Sequence, residues 1–210
     1  ACLGAATASC VGAGMLTDGS TISVGTTSIG ALRDGTTLPF HGEGYYVPRR
    51  WRERRRNYGT DELVQLLVRA SRRVKRRHRK ATLGVADLSP RVGGPTPEHK
   101  SHRSGRDVDL LFYQLDHDTG KPVRPEAMLP FDKDGEPISA EEPASAPAGG
   151  DASAAADAAR VEPSTDGTAP APAEEEQAEE RRRFDVERNW TLVRALVTDP
   201  LVSVQWIFID

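Results

Sequence analysis

The 210-residue sequence contains no apolar run approaching the roughly 18 residues of a membrane-spanning helix, which excludes a helical span within it. Cysteine is nearly absent: Cys2 and Cys10 are the only two, and no histidine lies near them, so a Cys/His zinc finger is excluded. Three readings of that pair stay open: a small disulfide in an exported protein, one lipidated cysteine, or no role. The opening Ala1–Cys10 run is read either as the end of a signal or lipoprotein signal peptide or as a plain low-complexity tail. Histidine is scarce, and none follows His117. From Lys133 to Arg183 there is no aromatic residue, and Ile138 and Val161 are the only branched aliphatics. A segment so poor in apolar surface does not offset the entropy of ordering. Residues 133–180 are therefore read as a disordered Ala/Pro/Glu-rich insert, with at most a transient helix near Ala152–Ala159.

Charge of one sign is missing from two long stretches. Residues 49–80 carry fourteen Arg or Lys against Glu53, Asp61 and Glu62, and residues 132–180 carry fourteen Asp or Glu against Lys133 and Arg160. The formal net charge of −3 hides this segregation. The basic block is read as a surface for a polyanion. Nucleic acid is the less favoured candidate and another anionic polymer the preferred one, and the acidic insert is an internal counter-charge that salt would screen.

Residues 11–44 are punctuated by glycine and predict turns and short extended pieces. Residues 60–79 predict a helix. Thr60 is the N-cap, Asp61 and Glu62 suit the positive end of the dipole, and Leu63, Leu67, Ala70 and Val74 form one apolar stripe widened by Val64 and Leu66. Ala81–Ala86 alternates like a strand, and Asp87–Pro97 is a loop in which Asp87 either forms a turn, the preferred reading, or lines a cleft at the end of the strand. A second strand is expected from Asp107, followed by a hairpin loop at Asp116–Gly120 between 113 and 123. Val186, Trp190, Val193 and Val197 predict an amphipathic helix over 185–198 that ends at Asp199-Pro200. Leu201–Ile209 is a strongly apolar strand candidate. His78, at a basic helix end, is expected to be solvated. The chain divides into a tail (1–19), the first part of a domain (20–132), the insert (133–180) and a second part of the same domain (181–210).

The densest chemistry lies between His99 and Asp109. His99, His102, Asp107 and Asp109 fall in one short polar run with Gly105, which lets the chain turn before the strand. Neutral imidazole and carboxylate are ligands that zinc accepts in catalytic sites. Strand alternation puts Asp107 and Asp109 on one face, turned toward whatever His102 faces.

With these residues laid out, the chain resembles the penicillin-insensitive murein endopeptidases, zinc peptidases of the wider group that includes lysostaphin-type and D-Ala-D-Ala metallopeptidases. Ser101-His102-x-x-Gly105-x-x-x-Asp109 matches that group's first metal motif. Ser23-Val-Gly25, Gly30-Ala-Leu32, Gly35–Pro39, Gly42–Tyr45, Asn57-Tyr-Gly59, Gly93-Gly94 and Gln205–Ile209 follow in the expected order. The resemblance implies an α+β fold with a zinc cleft on a small antiparallel sheet flanked by helices. It implies His102 and Asp109 as two of three protein ligands to zinc, with water as the fourth. His99 is then a substrate or supporting residue, or else a solvent-exposed loop histidine, and Asp107 either accepts a hydrogen bond from a ligating imidazole or caps a turn at the strand start. The implied reaction is hydrolysis of D-alanyl–diaminopimelate cross-bridges in peptidoglycan, in the bacterial periplasm. The third ligand in this group is a histidine of a C-terminal His-x-His motif, which also supplies the catalytic histidine. The sequence holds no such motif, so the chain is expected to be truncated beyond Asp210, and inactive as it stands. A non-catalytic peptidoglycan-binding module is the alternative.

Overall fold

The computed structural model describes residues 19–138 and 181–209. The cysteine pair, the low-complexity tail up to residue 18 and the Ala-rich stretch of the insert lie outside the described residues.

The chain opens with a hairpin of β1 (Ile22–Gly25) and β2 (Gly30–Arg33), followed by β3 (Thr36–Thr37), β4 (His41–Gly42), β5 (Tyr45–Tyr46) and the single-turn helix α1 (Arg49–Arg52). Next come β6 (Tyr58–Gly59), the long helix α2 (Asp61–Arg77), β7 (Leu83–Val85), β8 (Leu110–Leu111), β9 (Gln114–Asp116) and β10 (Pro122–Val123). After the acidic segment, β11 (Arg182–Phe184) and α3 (Val186–Val197) complete the described fold. The class is α+β. Four small sheets form, antiparallel in every pair except β5–β7. That parallel pair needs a crossover rather than a tight turn, and α2 supplies it.

Helix α2 follows from its sequence. The Thr60 side chain accepts a hydrogen bond from the Leu63 amide, which satisfies one of the donors a helix start leaves open. Leu63, Val64, Leu66, Leu67, Ala70 and Val74 are buried. Their face packs on Leu83, Val85, Leu111 and Tyr113 and on Leu192, Ala195 and Leu196 of α3. Strand β7 is buried along its whole length, so its sheet is covered on both sides. Gly84 allows this, because a Cβ there would lie 2.7 Å from Leu111 Cδ1 and 2.9 Å from Leu111 Cβ.

Two expectations for the C-terminal part are corrected. Helix α3 forms, but it buries a different face. Val186 (68% exposed), Trp190 (62%) and Val197 face solvent, while Asn189, Leu192, Ala195 and Leu196 are buried. The cause is polar. Asn189 Oδ1 accepts from the Tyr113 amide at 2.9 Å, and Asn189 Nδ2 donates to the Tyr113 carbonyl at 2.9 Å. This clamps the helix to the backbone that leaves β8, and small Ala195 lets the helix approach the core. Residues 201–209 form no strand. Trp206 (71% exposed) and Phe208 (84%) face solvent, and only Val202 and Val204 pack partly on the core. Apolar β-branched residues favour a strand only where a neighbouring strand offers hydrogen bonds; none does so here among the described residues. His78 is also not solvated. It is buried, its amide caps α2 on the Val74 carbonyl at 2.8 Å, and its Nε2 lies 3.1 Å from Thr191 Oγ1.

The residues on either side of the acidic segment meet. Strand β11 pairs with β9, and the Phe184 amide donates to the Gly135 carbonyl at 2.9 Å. Residues 132–136 form a turn closed by the Asp132 amide on the Glu136 carbonyl, and Phe112, Phe131 and Phe184 stack edge-on above it. The hairpin expected between 113 and 123 is present as β9–β10.

Candidate metal centre

The backbone holds the His99–Asp109 loop at several points. The Thr60 amide, at the start of α2, donates to the Gly105 carbonyl at 2.8 Å, and the Arg103 amide donates to Thr27 at 3.0 Å. Ser23 Oγ donates to the Ser104 carbonyl at 2.8 Å. Gly105 has φ of +71°, and a Cβ there would meet Leu32 Cδ2 at 2.8 Å, so this turn requires glycine. Asp109 is fixed from the other side, since the Ala86 amide donates to its carbonyl and its own amide donates to the Asp87 carbonyl, both at 2.9 Å.

This framework brings His99, His102 and Asp109 together, with one ligand atom from each lying within 4.8 Å of the others. His102 Nε2 faces Asp109 Oδ1 at 3.2 Å, and His99 Nε2 lies 3.9 Å from Asp109 Oδ2. The two imidazole rings are 4.8 Å apart between centroids. His102 is 3% exposed and takes the left-handed φ of +61°, a costly conformation for a side chain of this size. Asp107 offsets that cost. Its Oδ2 accepts from the His102 amide at 2.7 Å, and the same oxygen lies 3.6 Å from Nδ1, beyond hydrogen-bond reach. Asp107 therefore fixes the His102 backbone rather than its ring, and Nδ1 remains buried without a well-formed bond.

Burial pushes the His102 pKa down. The hydrogen bond that the ring donates to the Asp109 carboxylate, the Asp109 and Asp107 charges and the Leu88 carbonyl together outweigh it and hold the pKa above the ordinary imidazole value. Asp109 has no Lys or Arg partner among the described residues, so the ring competes with no cation for its carboxylate.

Of the two readings of Asp87, the preferred turn gives way to the site-lining one: it is buried at 1% exposure beside the site. Its Oδ2 accepts from His99 Nε2 at 3.0 Å and from Arg54 Nη1 at 2.7 Å, with Arg56 Nη1 at 3.6 Å. Arg56 also donates to Glu98, and that bond lowers the Glu98 pKa. Part of the basic block thus turns inward. Nothing in the sequence distinguishes Arg54 and Arg56 from Arg49, Arg50 or Arg55. The pairing depends on Asp87, more than thirty positions away. His41 and His117 lie outside the cluster.

Two nitrogens and one carboxylate on a rigid loop are a donor set suited to a divalent transition metal, zinc foremost. A family model described as penicillin-insensitive murein endopeptidase matches residues 23–129, a span that contains the whole cluster. Two curated proteins of that name, from Escherichia coli O1:K1 / APEC and Escherichia coli strain SMS-3-5 / SECEC, are each 33% identical over 124 residues. The alignment covers 57% of this chain and 44% of each relative, so the chain matches less than half the length of those proteins.

Proposed function

Starting from the fact that this chain belongs to the penicillin-insensitive murein endopeptidase family, we propose that it is the metal-binding portion of a zinc-dependent peptidoglycan endopeptidase. The observation that carries this reading is the convergence of His99, His102 and Asp109 within 4.8 Å. His102 Nε2 and the Asp109 carboxylate would hold the zinc, with His99 as a further nitrogen donor beside them. The Asp109 carboxylate, which has no Lys or Arg partner among the described residues, fits that role. When bound, zinc supplies Lewis acidity toward a peptide carbonyl and toward water.

The chain's own residues do the positioning. Asp107 locks the His102 backbone, Asp87 holds the His99 ring from behind, and the Ala86–Asp109–Asp87 backbone bonds set the carboxylate. Outer partners of this kind orient ligands and tune their basicity. Asp109 is half-buried, so the cluster opens to one side, where a peptide reaches it. The substrate we assign is the peptide cross-bridge of peptidoglycan, of the D-alanyl–diaminopimelate type, and the compartment is the periplasm.

Two measurements test this. Equilibrium dialysis followed by elemental analysis is expected to find one zinc per chain, lost in His102→Ala and in Asp109→Ala. In the full-length protein the same substitutions are expected to abolish release of monomers from a cross-linked muropeptide dimer, followed by chromatography. Near-normal cleavage by either variant refutes the assignment. A full-length protein that binds murein, holds no zinc and cleaves nothing is instead a binding module.

A further inference from the structure

The cations of α2 separate into two groups. Arg69, Arg73 and Arg77, one helical turn apart, face the α3 side. Arg69 grips both oxygens of Asp199 at 2.8 and 2.7 Å, Arg73 reaches Thr198 Oγ1 at 3.0 Å, and Arg77 lies 4.0 Å from Glu187. Arg72, Lys75 and Arg76 lie on another stripe, and Arg79 and Lys80 follow in the turn after the helix. Only Arg72 in this second group has an acidic partner among the described residues, Glu43 at 3.0 Å. Arg76, Arg79 and Lys80 are exposed and carry uncompensated charge side by side.

Ordinary helix chemistry explains part of this. Cations in a last turn complement the negative end of the helix dipole. That effect does not reach Arg79 and Lys80, which lie beyond the helix.

We propose that the cationic end of α2, formed by Lys75, Arg76, Arg79 and Lys80 with Arg72 at its edge, is an exosite for the carboxylate-bearing peptidoglycan strand. The proposal rests on the endopeptidase reading and deepens it. The patch and the cleft lie at opposite ends of one helix: Thr60, at the start of α2, bonds the metal loop at Gly105, and the 17 residues of α2 span about 25 Å. A polymer with repeated carboxylates reaches both places at once, whereas a single excised cross-link does not. Holding the polymer at the distal end raises the local concentration of cross-bridges at the cleft. It also makes association sensitive to ionic strength.

The test is co-sedimentation of the whole chain with purified murein sacculi. Arg76→Gln/Arg79→Gln/Lys80→Gln is expected to weaken binding at low salt by about 100-fold. Arg73→Gln, on the α3 side, is expected to change it less than about three-fold. Wild-type binding is expected to fall steeply as the Debye length shortens toward ~8 Å. Sedimentation reads binding with or without turnover, so a full-length protein that binds and does not cleave overturns the hydrolase reading alone. Triple-variant binding equal to wild type overturns the exosite. Tighter binding to a DNA duplex than to sacculi also overturns it and assigns the patch to nucleic acid. If sacculi bind only after residues 139–180 are removed, the occupant is that acidic segment and the proposal fails.

Discussion

Replacing Asn189 with alanine removes three hydrogen bonds from a buried place: one from the Tyr113 amide, one to the Tyr113 carbonyl and one to the Asp185 carbonyl, each at 2.9 Å. The Asp185 carbonyl keeps its helical bond from the Asn189 amide, so its loss is small. The Tyr113 carbonyl keeps its bond from the Asp185 amide at 3.0 Å, so it too remains partly satisfied. The Tyr113 amide is left with no partner, and an orphaned buried donor costs about 1–3 kcal/mol. With the lost packing, Asn189→Ala is expected to cost about 2–4 kcal/mol, a large share of the roughly 5–15 kcal/mol of a whole domain. Asn189→Leu keeps the volume and loses the bonds, so it should cost nearly as much. Trp190→Ala removes a far larger side chain from the neighbouring position, yet it should cost no more than about 0.5 kcal/mol, because Trp190 faces solvent. The assay is urea denaturation followed by far-UV circular dichroism, which does not depend on tryptophan signal. If Trp190→Ala destabilises more than Asn189→Ala, α3 buries the other face, and the account of how Tyr113 and the strand leading from Asp109 are anchored is wrong.

Asp87→Ala leaves Arg54 and His99 without their shared acceptor and removes a nearby carboxylate from Arg56; it should destabilise the chain by about 3 kcal/mol and weaken zinc affinity by about ten-fold or more, read by thermal melts and by competition with a chromophoric chelator. Stability should also fall on the acid side through Asp199, whose pKa the hydrogen bonds from Arg69 hold below the usual aspartate value. A carboxylate with a depressed folded pKa stabilises fully above its unfolded value of about 3.9 and loses that contribution as pH drops through the folded one. Asp199→Asn should therefore cost about 1–3 kcal/mol near neutrality and flatten the decline below about pH 4; a variant with an unchanged acid slope in urea titrations counts against the pair.

Local rules made some of this molecule readable in advance. Thr60, the acids after it and the stripe from Leu63 to Val74 agree with one another, so α2 lies where its residues put it. The resemblance of Ser101–Asp109 to the family's motif pointed to His102 and Asp109 as a pair, and the structure sets their side chains 3.2 Å apart. Helix α3 was not readable to the same degree. Its sequence carries two stripes, Val186–Trp190–Val193–Val197 and Asn189–Leu192–Ala195–Leu196, and hydrophobicity alone favours the one that faces solvent. A hydrogen-bonded asparagine decides between them, and its partner, Tyr113, is 76 residues away. Asp87 and Arg56 were hidden for the same reason, since each is ordinary as a surface residue and acquires its role only from the other. Residues 201–209 have every property of a strand except a neighbour.

The hydrogen bond between Gly135 and Phe184 joins two points far apart in sequence. That bond ties together the points where the sequence between them leaves and rejoins the described fold. Closing a loop costs free energy that grows only with the logarithm of its length, so doubling it adds about 0.6 kcal/mol. This junction is therefore a port at which the chain can lengthen or shorten, or accept a whole foreign domain, at little cost to the fold that carries His102 and Asp109.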